Sequence, residues 1–147
     1  ASLILGFIKE LATYEKSPNG VIATVEDIEK SLFASNTTTE AIICVLDSKP
    51  IGFAVYFLNY STWLGKNGLY LEDLYISPDY RGVGAGKRLL KYLAEMAVEH
   101  NYGRFEWVVL DWNEPAIKFY ESIGAKAKHE WTGYRLEGQS LIDFASS

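Results

Sequence analysis

Cysteine is almost absent from these 147 residues: Cys44 stands alone, so no intrachain disulfide can form and the fold must hold by burial and hydrogen bonding. Its place in the apolar run Ile42-Ile43-Cys44-Val45-Leu46 predicts a small core residue in a reducing compartment. The only two histidines, His100 and His129, stand at no metal-ligand spacing from each other or from Cys44, so they read as surface residues and no metal is expected. No apolar run approaches the roughly 20 residues of a membrane span, and no signal-peptide pattern opens the chain. These absences predict a cytoplasmic protein. Positive charge is in deficit, with 14 Lys and Arg against 19 Asp and Glu, a net charge of −5. That balance argues against a nucleic-acid surface and suits a small cationic partner. Repeats, linkers and low-complexity tracts are also missing, so residues 1–147 read as one domain.

What is present is organised around residues 69–91, LYLEDLYISPDYRGVGAGKRLLK. Aromatic and β-branched residues predict a strand, interrupted by Glu72 and Asp73 and stopped at Ser77-Pro78 because proline cannot continue a ladder. In Arg81-Gly82-Val83-Gly84-Ala85-Gly86 the alternate glycines remove side chains where amides must approach a ligand and allow positive φ. Leu89, Leu90, Leu93, Met96 and Ala97 then recur at helical spacing, so a helix begins where the amides converge and its dipole adds positive potential there. Arg81, Lys87, Arg88 and Lys91 place cations around this point in an otherwise acidic chain, and an anion is expected. The glycines fall as G-x-G-x-G, one residue too close for a dinucleotide fingerprint. Only three residues separate Gly82 from Gly86 and Lys87 precedes Arg88, so a Walker A loop fails too. The glycines alone are equally compatible with a plain β-to-α turn bearing solvated charges.

Along the rest of the chain, Leu3, Ile4, Phe7, Ile8, Leu11 and Ala12 predict an opening helix that ends near Ser17-Pro18-Asn19-Gly20. Thr24 and Asp27 form a near capping box for a second helix with Ile28 and Leu32 on one face. Residues 41–46 and 51–58 read as an antiparallel pair about the turn Asp47-Ser48-Lys49-Pro50, and residues 59–67 as a loop carrying Tyr60 and Trp63. Residues 105–110 read as a strand parallel to the central one, with ligand sites expected beyond the carboxyl ends of such a pair. Glu114-Pro115 opens a further helix that Gly124 stops. Weak alternation over 126–131 and 134–144 predicts one or two closing strands.

The pattern R-G-x-G-x-G between strand and helix resembles the pyrophosphate loop of the GCN5-related N-acetyltransferase (GNAT) superfamily, which binds acetyl-CoA. Residues 113–125, NEPAIKFYESIGA, are similar to the N-x-x-A-x-x-F-Y-x-x-x-G-F signature that closes the cofactor site of that superfamily. FIKELATYE at 7–15, Trp63-Leu64-Gly65-Lys66 with Leu69-Tyr70-Leu71-Glu72-Asp73, and Trp112-Asn113-Glu114-Pro115 resemble its spermidine/spermine (diamine) N1-acetyltransferase branch, including the thialysine-acetylating relatives. The likeness spans nearly the entire chain. It implies an α/β fold with a mixed, mostly antiparallel twisted sheet flanked by helices and an acetyl-CoA site at splayed central strands. It also implies a homodimer, and a strand ahead of the first helix that these residues do not contain.

Acetyl transfer to an amine needs a base for the ammonium, a donor for the developing oxyanion and an acid for the leaving thiolate. Glu72 can take the proton directly or through water, although a partly exposed strand carboxylate is the plainer reading of it. A backbone amide near Leu74 or Ile76 can hold the carbonyl. A phenol, with a reference pKa of about 10, is matched to an alkyl thiol, which suits Tyr120; beside Phe119 it is equally a packing aromatic. The resemblance makes Tyr120 the general acid. It assigns the cofactor to Leu74, Tyr75, Ile76, Arg81, Gly82, Val83, Gly84, Ala85, Gly86, Lys87, Asn113, Ala116 and Tyr120. It assigns the amine to Tyr14, Glu15, Trp63, Glu72 and Asp73, types that suit ammonium groups and methylenes. Thr132, beside Glu130 and Trp131, stands where the family's spermidine acetylase has an acid, so a shorter diamine, thialysine or a lysine-like amine fits as well as a long polyamine. The expected reaction is direct attack on acetyl-CoA in a ternary complex. A protein or peptide amine acetyltransferase and a non-catalytic acetyl-CoA-binding module are the alternatives.

Overall fold

Apolar periodicities of helix and strand alternate along the first part of the chain, and the computed structural model, which describes residues Ala1–Ser147, turns them into the corresponding elements. They are α1 (Ser2–Tyr14), α2 (Val25–Leu32), β1 (Thr39–Leu46), β2 (Lys49–Ser61), β3 (Lys66–Ile76), a 3₁₀ turn (Pro78–Tyr80), α3 (Ala85–Glu99) and β4 (Phe105–Glu106). The sheet order is β1-β2-β3-β4, antiparallel except for the parallel β3–β4 pair. The fold is therefore α/β with a mixed, mostly antiparallel sheet flanked by helices. Residues 1–110 form one compact unit and 111–147 a second.

In the first unit α1 and α2 cover one face of the sheet. Phe7 of α1 stacks on Phe53 of β2 at 5.6 Å between ring centroids and leans on Tyr75 of β3 at 6.4 Å. Ile4, Leu5, Ile28 and Val55 close this core, and each such side chain contributes roughly 1.5–3 kcal/mol by leaving water. α2 starts at a complete capping box: Thr24 Oγ1 accepts from the Asp27 amide at 3.2 Å while Asp27 Oδ2 accepts from the Thr24 amide at 2.9 Å. On α3 the buried stripe Leu89, Leu90, Leu93 and Ala97 packs the helix on β3.

The β1–β2 turn is a two-residue hairpin with Asp47 at φ 49° and Ser48 at φ 65°, the twist-matching geometry for antiparallel strands. Residues 59–67, read from the sequence as a loop, are mostly strand: β2 runs to Ser61 and β3 begins at Lys66, its register partner. Asn59, Ser61, Lys66 and Asn67 are polar, but cross-strand pairing satisfies their backbone groups and overrides weak local preference. Cys44 is only half-buried, because β1 is the edge strand of the sheet. Pairing of the fourth strand is far shorter than residues 105–110, covering Phe105 and Glu106 alone.

In the second unit α4 (Glu114–Ser122) starts with Pro115 in its first turn and ends ahead of Gly124 at φ 93°. The closing strands expected at 126–131 and 134–144 do not form. Residues of the latter stretch instead make α5 (Gly138–Ala145), helped by an i→i+4 hydrogen bond from Gln139 Nε2 to Asp143 Oδ1 at 2.7 Å. An alternation too weak to distinguish period 2 from 3.6 explains the error. No helix is long and apolar enough to cross a membrane.

Candidate active site

The second half of β3 has one open edge. Ser77 N–H donates to the Ile51 carbonyl at 2.8 Å, which makes the facing residues Gly52 and Ile76 a non-hydrogen-bonded pair of the antiparallel ladder. The backbone N–H and C=O of Ile76, and by the two-residue period those of Leu74, therefore point away from β2. On that other side β4 pairs only at Leu69–Phe105 and Tyr70–Glu106. It is pinned there by Leu69 N–H on the Arg104 carbonyl (2.9 Å) and by Glu106, which accepts from Asn59 Nδ2 (3.0 Å) and Arg104 Nε (2.9 Å). Beyond Glu106 the chain leaves the ladder. The central strands are splayed, and the amides of Leu74 and Ile76 face the gap.

A second set of donors lies just past β3. The turn after Ile76 carries Gly82 at φ 88° and Gly84 at φ 78°, backbone that L side chains rarely adopt. Gly84 is the N-cap of α3 and offers no side chain, and the first intrahelical bond runs from Arg88 N–H to the Gly84 carbonyl at 3.0 Å. The amides of Ala85, Gly86 and Lys87 therefore lack helical acceptors. A Cβ placed at Gly82 or Gly84 would meet no atom within 4 Å, so the turn is open rather than filled by its own side chains. Lys87 and Arg88 are exposed beside it. Convergent amides, a helix N-terminus and cations form a cradle that suits a diphosphate.

Acidic groups gather on β3. Val55 pairs with Asp73 and Tyr56 with Leu71, so Glu72 is the extra residue of a β-bulge. A regular strand would send adjacent carboxylates to opposite faces; the bulge breaks the alternation and brings Glu72 and Asp73 within electrostatic reach of each other. The half-buried Asp73 carboxyl is pushed up to about 6, first by desolvation and then by the charges of Glu72 and Glu15. Glu15, which follows the last residue of α1, is likewise raised by desolvation. Asp73, which feels the charges of both Glu72 and Glu15, thus lies next to a splayed strand in a site that an ammonium would relieve.

Arg81 joins these two regions. Its Nε donates to the Ile76 carbonyl at 3.1 Å, and its Cζ lies 5.0 Å from the Tyr14 ring centroid and 5.5 Å from that of Tyr75. Thus the first unit brings Tyr14, Glu15, Glu72, Asp73, Leu74, Tyr75, Ile76 and the 81–87 turn into one neighbourhood. Trp63, 90% exposed at the tip of the β2–β3 hairpin, lies nine residues before Glu72 and is not part of it. Asn113, Ala116 and Tyr120 belong to the second unit, at the N-cap, first turn and last turn of α4; the Tyr120 ring is 5.8 Å from Phe119. The bulge at Glu72 was not read from the sequence, although two successive acids in an apolar strand were its trace.

The chain is similar in sequence and fold to known acetyltransferases. Residues 8–125 match the sequence model of the Acetyltransferase (GNAT) family. A thialysine N-epsilon-acetyltransferase of Sus scrofa is 35% identical over 153 aligned positions, covering 97% of this chain and 89% of that protein. The human spermidine/spermine N(1)-acetyltransferase-like protein 1 is 33% identical over 97% of this chain, which spans 22% of its length. Among solved structures, an integron cassette protein from V. cholerae superposes with a TM-score of 0.82 at 32% identity, covering 98% of this chain and 90% of that one. The chain therefore belongs to the acetyltransferase (GNAT) family and is an N-acetyltransferase.

Proposed function

We propose that this enzyme transfers the acetyl group of acetyl-CoA to a primary amine of a small diamine, polyamine or thialysine/lysine-like substrate, by direct attack in a ternary complex. The observation that supports it most is the continuity of donors and acids along one strand end. Outward amides of Leu74 and Ile76 lie between the bulged Glu72–Asp73 pair and the open glycine turn before α3.

In this reading the amides of residues 82–87 receive the diphosphate, with Asn113 and Ala116 lining the same cofactor, and an amide of Leu74 or Ile76 holds the thioester oxygen. Glu72, exposed in its bulge, accepts the ammonium proton directly or through a water, leaving a neutral nucleophile. The amine nitrogen bonds to the acyl carbon as the carbon–sulfur bond breaks, Tyr120 gives its proton to the sulfur, and the second proton lost by the nitrogen returns the Tyr120 phenolate to phenol by way of solvent. Asp73, Glu15 and Tyr14 hold the rest of the substrate: carboxylates pair with a second ammonium and an aromatic face attracts cations and covers methylenes. A homodimer working in the cytoplasm completes the proposal. The relatives that act on thialysine and the resemblance to the spermidine branch support a small amine over a peptide.

The test is release of CoA thiol over a panel of diamines, spermidine, thialysine and lysine-bearing peptides. Turnover with at least one small amine, at a higher kcat/KM than any peptide, is the expected result. Turnover on peptides alone would move the assignment to a protein amine, and acetyl-CoA binding without turnover on any amine would make the chain a binding module.

A further inference from the structure

We infer that Arg81 is a positioning residue that clamps the end of α1 to the end of β3, rather than a ligand of the cofactor's phosphates. The inference rests on the amine-acetylating reading above and concerns the same site. From sequence Arg81 is one of several cations around the glycine turn, yet its side chain is committed elsewhere. Its Nε donates to the Ile76 carbonyl at 3.1 Å, and its guanidinium lies against both Tyr14 (5.0 Å) and Tyr75 (5.5 Å).

The two rings are unequal partners. Tyr75 is buried in the core and leans on Phe7 of α1, so it is a fixed wall. Tyr14 is the last residue of α1 and 40% exposed, so it is the wall nearer to solvent. Through Tyr14 the clamp also sets where Glu15 stands relative to Asp73, whose carboxyl feels it. The backbone bond has its own consequence. Ile76 presents N–H and C=O to the same open edge, and an uncompensated carbonyl oxygen there would repel the thioester oxygen that the amide is meant to hold. The Arg81 guanidinium occupies that carbonyl and leaves the N–H as the donor.

Only arginine can do this. A planar group with an Nε donor can bond in its plane while its faces meet aromatic rings; an ammonium offers charge but neither the plane nor the fork. A phosphate ligand that acts as a point charge, by contrast, tolerates lysine. Arg81→Lys and Arg81→Met therefore separate the two roles, measured with spermidine and thialysine as amines. Both variants are expected to raise the amine KM about ten-fold, because neither can keep an in-plane hydrogen bond to the Ile76 carbonyl while laying a flat cation against both rings. The acetyl-CoA Kd by calorimetry is expected to change by less than about two-fold in both, since backbone amides supply the cradle. Hydrogen exchange of the last turn of α1 should speed up in both variants and equally in Tyr14→Leu, an exposed position where folding is not at risk.

Lysine restoring wild-type amine KM and exchange, with methionine weakening acetyl-CoA, would overturn the clamp and make Arg81 a phosphate ligand. Unchanged exchange in Tyr14→Leu would overturn it as well. Should the wild-type protein acetylate neither amine, the functional proposal fails for them, and the exchange measurements still decide the clamp.

Discussion

Residues 66–71 of β3 pair with β2 throughout and with β4 at Leu69 and Tyr70, whereas residues 73–76 pair with β2 alone. The first half is ordinary sheet: Leu69 is fully buried, its N–H meets the Arg104 carbonyl, and the Asn67 carbonyl accepts from Gly103 N–H. Across the bulge at Glu72 the same strand exchanges structural hydrogen bonds for exposed ones, and two carboxylates replace apolar side chains. A ladder that must be continuous for stability can be left open where a ligand supplies the missing partner. The anchors at Glu106, Asn59 and Arg104 show how cheaply this is done, since holding β4 at two residues is enough to let the following chain diverge.

Several measurements would break or sharpen that contrast. The largest effect is expected from Tyr120→Phe, which leaves both halves of β3 intact: kcat should fall by roughly 10²- to 10⁴-fold with acetyl-CoA affinity nearly unchanged, as read by thiol release and calorimetry. Retained turnover would remove Tyr120 from the acid role. Gly84→Val attacks the open half directly. At φ 78° a branched side chain costs about 1–3 kcal/mol of backbone strain and occupies the space before the amides, so acetyl-CoA affinity should drop by about 100-fold or more. Normal binding in that variant would contradict the cradle.

Smaller effects are expected in stability. The Asp73 carboxyl is raised from 3.8 to about 6 in the fold, so the native state binds the proton more tightly than the unfolded chain does. Stability linked to this group is fully present below pH 3.8 and is lost as pH rises through about 6. Asp73→Asn should therefore gain stability relative to wild type as pH rises across that window, by up to about 2 kcal/mol at pH 7.5 in urea unfolding. A pH-independent difference would mean that neither burial nor the neighbouring acids raise the Asp73 carboxyl. Thr24→Ala, in the α2 capping box and away from either half of β3, should cost about 1 kcal/mol of stability and leave kcat unchanged. That variant shows whether general destabilisation alone can imitate the effects above.

Local chemistry explains what could be read in advance. Proline ends β3, alternate glycines open the turn and the leucine stripe of α3 marks its buried face, because each depends on a residue's own backbone freedom or on a short period. The longer extent of β2 and β3, the brevity of β4 and the helix at 138–145 were not legible. Pairing partners decide strand length, and neither partner nor register is written in the paired residues themselves.

By itself, then, the amino-acid sequence determined that an open glycine turn flanked by cations follows an acidic strand and that a phenol lies in the later helix. Glycine, carboxylate and phenol have those capacities wherever they stand. Only the tertiary structure decided that β3 loses β4 after Tyr70, that Glu72 sits in a bulge beside Asp73 and Glu15, and that Arg81 turns back between Tyr14 and Tyr75. Those outcomes depend on register and on contacts between residues distant in the chain, which no local preference can specify.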